Sequence, residues 1–182
     1  MVRKYLFPFL VVGLLSSCNS KLPDTLFSLY TSVEAYHLDV PFVPQEEEGY
    51  CGPAALTSVL NYWKDEVDQR QIAEATYLPS IGGTLSFDLA HYAKAWGFHV
   101  ELYSGSFQDL KDKILFGYPL MVAGGYQKDA LGHYMVVTGY DDRKQQLIIH
   151  DGKSANVSIP YKKFFSLWNN TDRLTIFIIP QK

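Results

Sequence analysis

The stretch Pro44-Gln45-Glu46-Glu47-Glu48-Gly49-Tyr50-Cys51-Gly52-Pro53-Ala54-Ala55-Leu56 runs from an acidic segment into a helix, and the junction is a cysteine. Over residues 53–63 the apolar side chains Ala55, Leu56, Val59, Leu60 and Trp63 recur at helical spacing. Cys51 thus stands at a helix start, where free backbone N–H groups and the positive end of the macrodipole favour the thiolate, the nucleophilic form. Pro53 suits the first turn, because its missing N–H costs nothing there. Six residues upstream, Gln45 is placed to bring a side-chain NH2 beside the Cys51 N–H, giving two donors for a developing oxyanion. The alternative is a cysteine serving as a small apolar cap residue beside an exposed loop glutamine. The rest of the chain has to decide between them.

The 182 residues, 47% hydrophobic and 19% charged, suffice for one core and are few for two. Arg3 and Lys4 precede an apolar run over residues 5–15, too short to span a bilayer as a permanent helix, which reads as a signal peptide covering residues 1–17. Leu15-Ser16-Ser17-Cys18 resembles the bacterial lipobox, which implies lipidation of Cys18 and a lipid anchor; a plain secretory signal with a chance cysteine is the other reading. If that resemblance holds, Asn19 rather than Asp after the cysteine implies, by analogy with enteric bacteria, the periplasmic face of the outer membrane in a Gram-negative cell envelope. Residues 18–36, polar and mixed, read as a tether, and residues 37–182 as the folded domain. The chain has 2 cysteines. Lipidation of Cys18 leaves Cys51 as a single free thiol in an exported protein, where unpaired cysteines usually have a reason. The same arithmetic excludes a disulfide framework and a Cys-rich zinc site; no metal and no cofactor is called for. Losing Arg3 and Lys4 from 16 basic residues, against 19 acidic ones, leaves a net charge of −5, and nothing suggests nucleic acid.

The periodicity predicts further helices over residues 68–77 and from Thr84 or Ser86 to Gly97, the first with a capping-box pattern at Asp68. Gly82-Gly83 lacks the Lys-Ser/Thr pair of a phosphate loop and reads as a helix entry. From Phe98 the pattern changes to strands over 98–103, 119–123, 133–140, 146–151, 156–159 and 173–179, with helices over 106–115 and 161–168. Helices first and an antiparallel sheet afterwards is an α+β fold.

A cysteine nucleophile needs a base, normally a histidine held by a third group. Of the 5 histidines, His91 and His99 fall within regular elements, His37 stands at the very start of the expected domain, and His133 follows a glycine-rich loop and opens a β-branched strand, where a rigid element presents a side chain at a site. A turn centred near Asp142-Arg143 sets His133 opposite a residue at about 152, so Asp151 is within reach. Asp141 and Asp142 lie ~26 Å away at ~3.3 Å per residue. His150, next to Asp151, points to the other face.

Gln45, Cys51-Gly52-Pro53-Ala54-Ala55, His133-Tyr134-Met135-Val136-Val137-Thr138-Gly139-Tyr140 and Asp151 resemble, in this order, the bacteriocin-processing (double-glycine leader) peptidase-like family of papain-like cysteine peptidases. The likeness implies a papain-like fold, with a helical half carrying the nucleophile packed on an antiparallel sheet carrying the base. It further implies Cys51 as nucleophile, His133 as base and acid, Asp151 as orienter, Gln45 as oxyanion donor, and a peptide or protein as substrate. The best-known members are transporter-fused domains that cut leader peptides in the cytoplasm, whereas an exported chain without a transporter is expected here, so the chemistry alone carries over. An acyl transferase using the same triad and a non-catalytic peptide-binding module remain as alternatives. The run Glu46-Glu47-Glu48 is either a solvated loop or an anionic cleft rim that attracts cationic substrates and opposes the thiolate. The sequence leaves the oligomeric state open.

Overall fold

The computed structural model describes residues 33–63, 66–125 and 132–181. The expected signal peptide, Cys18 and the tether as far as residue 32 lie outside the described residues, as do residues 126–131 of the glycine-rich loop. In chain order the strands are β1 (Ala35–His37), β2 (Tyr77–Leu78), β3 (Gly83–Thr84), β4 (Phe98–Ser104), β5 (Leu120–Gly124), β6 (His133–Asp141), β7 (Gln146–His150), β8 (Val157–Pro160) and β9 (Leu174–Pro180). The helices are α1 (Cys51–Tyr62), α2 (Gln69–Thr76), α3 (Ser86–Ala95), α4 (Phe107–Leu115) and α5 (Tyr161–Asn169). The architecture is α+β, as expected.

Helix α1 is enclosed rather than laid on a surface: every residue from Gly52 to Leu60 is buried. Its two internal hydroxyls satisfy themselves on the preceding turn, Thr57 donating to the Pro53 carbonyl at 2.8 Å and Ser58 to that of Ala54 at 3.0 Å. Helices α2 and α3 pack against α1. Asp68 caps α2 by accepting the Arg70 N–H at 2.9 Å. For α3 no side chain caps the N-terminus. Leu85 occupies the cap position, and the Ser86 hydroxyl is drawn away to the Tyr134 hydroxyl at 2.6 Å.

The large sheet has seven antiparallel strands in the order β4-β9-β5-β6-β7-β8, with β1 added to β6. Strand β6 is its centre: it pairs with β5 and then β1 along one edge and β7 along the other, and α1 and α4 pack against it. All its residues after His133 are buried, which explains an apolar run without alternation.

Residues 35–36, expected in the tether, belong instead to the sheet, since Ala35, Tyr36 and His37 face Asp141, Tyr140 and Gly139. Three partly exposed residues carry too short an alternation to announce a strand. Strand β1 lies so near that a Cβ on Gly139 would be 2.7 Å from the Tyr36 carbonyl oxygen. The register between β6 and β7 also shifts between Val137 and Gly139, a bulge beside this close approach. Gly139→Val is expected to lower stability by about 1–3 kcal/mol through overpacking, read by denaturant unfolding; an unchanged midpoint would mean that β1 is not seated on β6.

Candidate active site

The first turn of α1 can be accounted for donor by donor. The Ala54 N–H bonds to the Tyr50 carbonyl at 2.9 Å, Pro53 has no N–H, and the Gly52 N–H is directed at the Cys51 sulfur. That leaves the Cys51 N–H without a partner among the described residues, available to an incoming oxygen. Gly52 is confined by β6 and α3, because a Cβ there would lie 3.1 Å from both the Tyr134 ring and Leu89.

Opposite the thiol, His133 opens β6. Its Nε2 donates to the Asp151 carbonyl oxygen at 2.5 Å. A carbonyl only accepts, so Nε2 keeps its proton and the neutral ring carries its lone pair on Nδ1. With Nε2 engaged, Nδ1 is the nitrogen left for the Cys51 thiol, to which His133 is hydrogen-bonded.

Asp151 is beside His133, but the group it presents to the ring is its main-chain carbonyl. The carboxylate folds back on its own turn, where Oδ1 accepts the N–H groups of Lys153 at 2.9 Å and Ser154 at 2.7 Å. Gly152 follows with φ +83°, a conformation open to glycine, and a Cβ there would sit 3.1 Å from Gln45 Oε1. Asp141 caps the far hairpin turn through bonds from the Arg143 and Lys144 N–H groups at 3.1 and 3.2 Å.

Gln45 is held at the same place from three directions. Its N–H donates to the Gly152 carbonyl at 2.8 Å. On either side of it, the buried Gln69 donates through Nε2 to the Pro44 carbonyl at 2.8 Å and accepts the Glu46 N–H on Oε1 at 3.0 Å. The Gln45 amide itself donates to the Glu47 carbonyl at 3.4 Å, a long bond easily exchanged for another acceptor.

The electrostatics follow from these contacts. Burial alone would push the Cys51 thiol up; the hydrogen bond with His133, the main-chain N–H groups of Tyr134 and Gly52, and the histidine charge outweigh it and hold the thiol below its ordinary value. His133 moves the other way, raised first by its bond to Cys51, then opposed by burial, and raised again by the sulfur charge and by Asp151. Of the acidic run, Glu46 is ion-paired with Arg70 at 2.6 Å. None of the three glutamates is among the main influences on Cys51.

Three of the other histidines are engaged elsewhere. His150 is buried and held low by its burial, donating to the Val40 carbonyl at 2.9 Å and accepting the Asn156 N–H at 3.2 Å. His37 and His99 bond to Asn156 and Glu101 on the surface.

Two contributors escaped the sequence reading. Tyr134 supplies an N–H to the sulfur, packs its ring under Gly52, and ties its hydroxyl, pushed up to about 12 by burial, to Ser86. Its signal was available, since the residue after His133 alternates to the opposite face of the strand, towards α1. Gln69 had no such signal, reading only as the residue after a helix cap.

A thiol at a helix start facing a histidine on an antiparallel sheet is the arrangement of papain-like cysteine peptidases. The model of the Peptidase_C39 like family matches residues 37–176, and the chain belongs to that family. It is similar to the peptidase domain of Streptococcus ComA, a bi-functional ABC transporter involved in a quorum-sensing pathway, with 29% identity and a TM-score of 0.64 over 77% of this chain and 98% of that one. A double glycine motif protease from an AMS/PCAT transporter, in complex with its leader peptide, shares the fold at 21% identity and a TM-score of 0.66 over 80% and 95% of the two chains. So does xylellain, a cysteine protease from Xylella fastidiosa, at 13% identity and a TM-score of 0.59 over 85% and 89%. No curated protein matches the chain. The chain is thus a cysteine peptidase.

Since Cys51 titrates below its ordinary value, its thiolate forms as pH rises through that lowered value. Alkylation by an uncharged haloacetamide is therefore expected to reach its plateau at a lower pH than for a free thiol. His133→Ala is expected to move the profile up towards the ordinary thiol. Asp151→Asn keeps both the carbonyl and the turn acceptor and should shift it by less than about one unit. A wild-type profile matching a free thiol would rule out the Cys51–His133 pair.

Proposed function

We propose that this cysteine peptidase is exported, anchored to the membrane, and cleaves peptide or protein substrates through a thioester acyl-enzyme on Cys51. The observation that carries the mechanism is the His133 ring held between the Asp151 carbonyl and the Cys51 thiol. The thiol proton passes to Nδ1, and the thiolate attacks the scissile carbonyl carbon. The oxygen gains the negative charge between the Cys51 N–H and the Gln45 amide, which leaves its long bond to Glu47. Collapse breaks the C–N bond as the imidazolium gives its proton to the leaving amine, and the thioester remains. Water then loses a proton to His133 and attacks the thioester; the C–S bond breaks and the thiolate returns. In this role Cys51 is nucleophile, His133 base and acid, Gln45 oxyanion donor, and Asp151 the orienter, through its carbonyl. Peptide substrates are supported by the leader peptide bound to the double glycine motif protease. An amine in place of water would make the same site a transferase.

Cys51→Ala is expected to lower turnover of any cleavable peptide by at least about 10^4-fold, in keeping with the loss of a nucleophile that acts as a unit with its base. Its unfolding should be nearly unchanged, and retained turnover would refute the mechanism. Product analysis with added amine distinguishes hydrolysis from transfer, because free acid persists only if water is the acceptor.

The anchor rests on the lipobox-like Leu15-Ser16-Ser17-Cys18, with residues 1–17 removed and the following segment as tether on the periplasmic face of the outer membrane. Cys18→Ser is expected to release the protein from the membrane fraction or leave uncleaved precursor. Continued membrane fractionation of a processed, unlipidated chain would end the lipoprotein reading.

A further inference from the structure

A cavity of about 390 Å³ opens on the His133 side of the site, lined by Gln45, His133, Met135, Leu167, Lys153 and Lys163 among others, and not by Cys51. Its apolar part comes from β6, β7, β8 and α5, and its positive charge from two lysines. Lys153 follows the turn clamped by the Asp151 carboxylate, and Lys163 stands on α5 one residue before the fully buried Phe164, so both are based on fixed backbone. Both side chains are exposed, and neither is in an ion pair among the described residues. The one carboxylate on the wall, Asp151, is turned to the N–H groups of Lys153 and Ser154. In a chain whose acidic residues outnumber its basic ones, 19 to 16, two unpaired cations meet at one apolar groove.

We infer that this groove is a substrate subsite that takes an acidic side chain on the leaving-group side of the scissile bond. The inference rests on the peptidase reading above. The direction follows from the proton transfer: His133 delivers its proton to the departing amine, so the residues that leave with that amine lie against the histidine wall. An extended substrate advances ~3.3 Å per residue, which puts the first two residues after the scissile bond at the groove. Glutamate suits it, with methylenes against Met135 and Leu167 and a carboxylate for the two ammonium groups. Glu47 and Glu48 do not line this cavity, so the cationic preference read from the acidic run, if present, belongs to a different part of the substrate.

The test is a set of quenched fluorescent peptides with amidated C-termini, built on a cleavable sequence from a positional library and differing only by Glu, Gln or Lys at the first and second positions after the cut. Expected is an order Glu over Gln over Lys, with about three- to tenfold between neighbours in kcat/KM, carried by KM, as two exposed ion pairs allow. It should shrink in high salt and invert in the Lys153→Glu, Lys163→Glu double variant. Equal rates for the three peptides in an active enzyme would overturn the inference. So would a gain confined to peptides ending there in a free α-carboxylate, since the groove would then read a chain terminus. If no peptide is cleaved and an electrophile fails to label Cys51, the peptidase reading has failed by itself. Fluorescence anisotropy of the Glu, Gln and Lys peptides on the Cys51→Ala variant then decides the subsite: tighter binding of Glu upholds it, and equal binding overturns it.

Discussion

The hydrogen bond from His133 Nε2 to the Asp151 carbonyl is the constraint on which the rest of the site depends. An imidazole that could choose its tautomer would spend part of its time with a proton on the nitrogen facing the thiol, unable to accept another. A carbonyl partner removes the choice, because it has only lone pairs to offer. The neutral ring is then always a base towards Cys51, and the charged ring always has a proton to return. A carboxylate in the same place would impose the same tautomer and add charge. Here the carboxylate of Asp151 does a different job, holding the Lys153 and Ser154 N–H groups so that the carbonyl stays where the ring needs it.

That constraint reaches outward through three short ties. The Gln45 N–H bonds to the carbonyl of Gly152, the residue after Asp151, so the turn that orients the histidine also fixes the loop bearing the proposed oxyanion donor. Gln69, buried at the start of α2, clamps that loop from the helical side. Ser58 adds a third tie by accepting the Val43 N–H at 3.1 Å from within α1. Cys51, His133 and Gln45 thus sit on different elements, yet each is referred to the same few hydrogen bonds.

Most of this geometry was legible where periodicity or turn chemistry speaks. The spacing of Ala55, Leu56, Val59 and Leu60 announced α1, and the hairpin carried Asp151, rather than Asp141, to His133. The observed pairing of Asp141 with Gln146 makes the turn four residues long, so opposed residues fall slightly further along than a turn centred at 142–143 implies. What stayed hidden depended on tertiary context. Strand β1 is specified by the Gly139 that lets it approach, a contact with no local pattern. Which oxygen of Asp151 meets the ring depends on the turn at Gly152, since residue spacing alone cannot choose between a carbonyl and a carboxylate of the same residue. Gln69 shows the same limit, with an amide whose two partners, Pro44 and Glu46, are far from it in sequence.

The charge balance at the sulfur shows why these contacts have to be so local. Cys51 is buried enough that desolvation is the largest single influence on it and opposes the thiolate, so a helix start alone would not hold the anion. Against it stand one imidazole and two N–H groups, all short-range partners whose effect depends on direct contact. The acidic residues nearby are not among the main influences in that balance, being solvated or paired: Glu46 is ion-paired with Arg70, and Glu47 and Glu48 are exposed. Solvent screens such surface carboxylates within about 8 Å, while the buried pair is scarcely screened. The same division lets the outer surface vary in charge without disturbing the thiol. Sign and position of charge around the cleft can then select substrates, while the reactivity of Cys51 stays with His133, Tyr134 and Gly52.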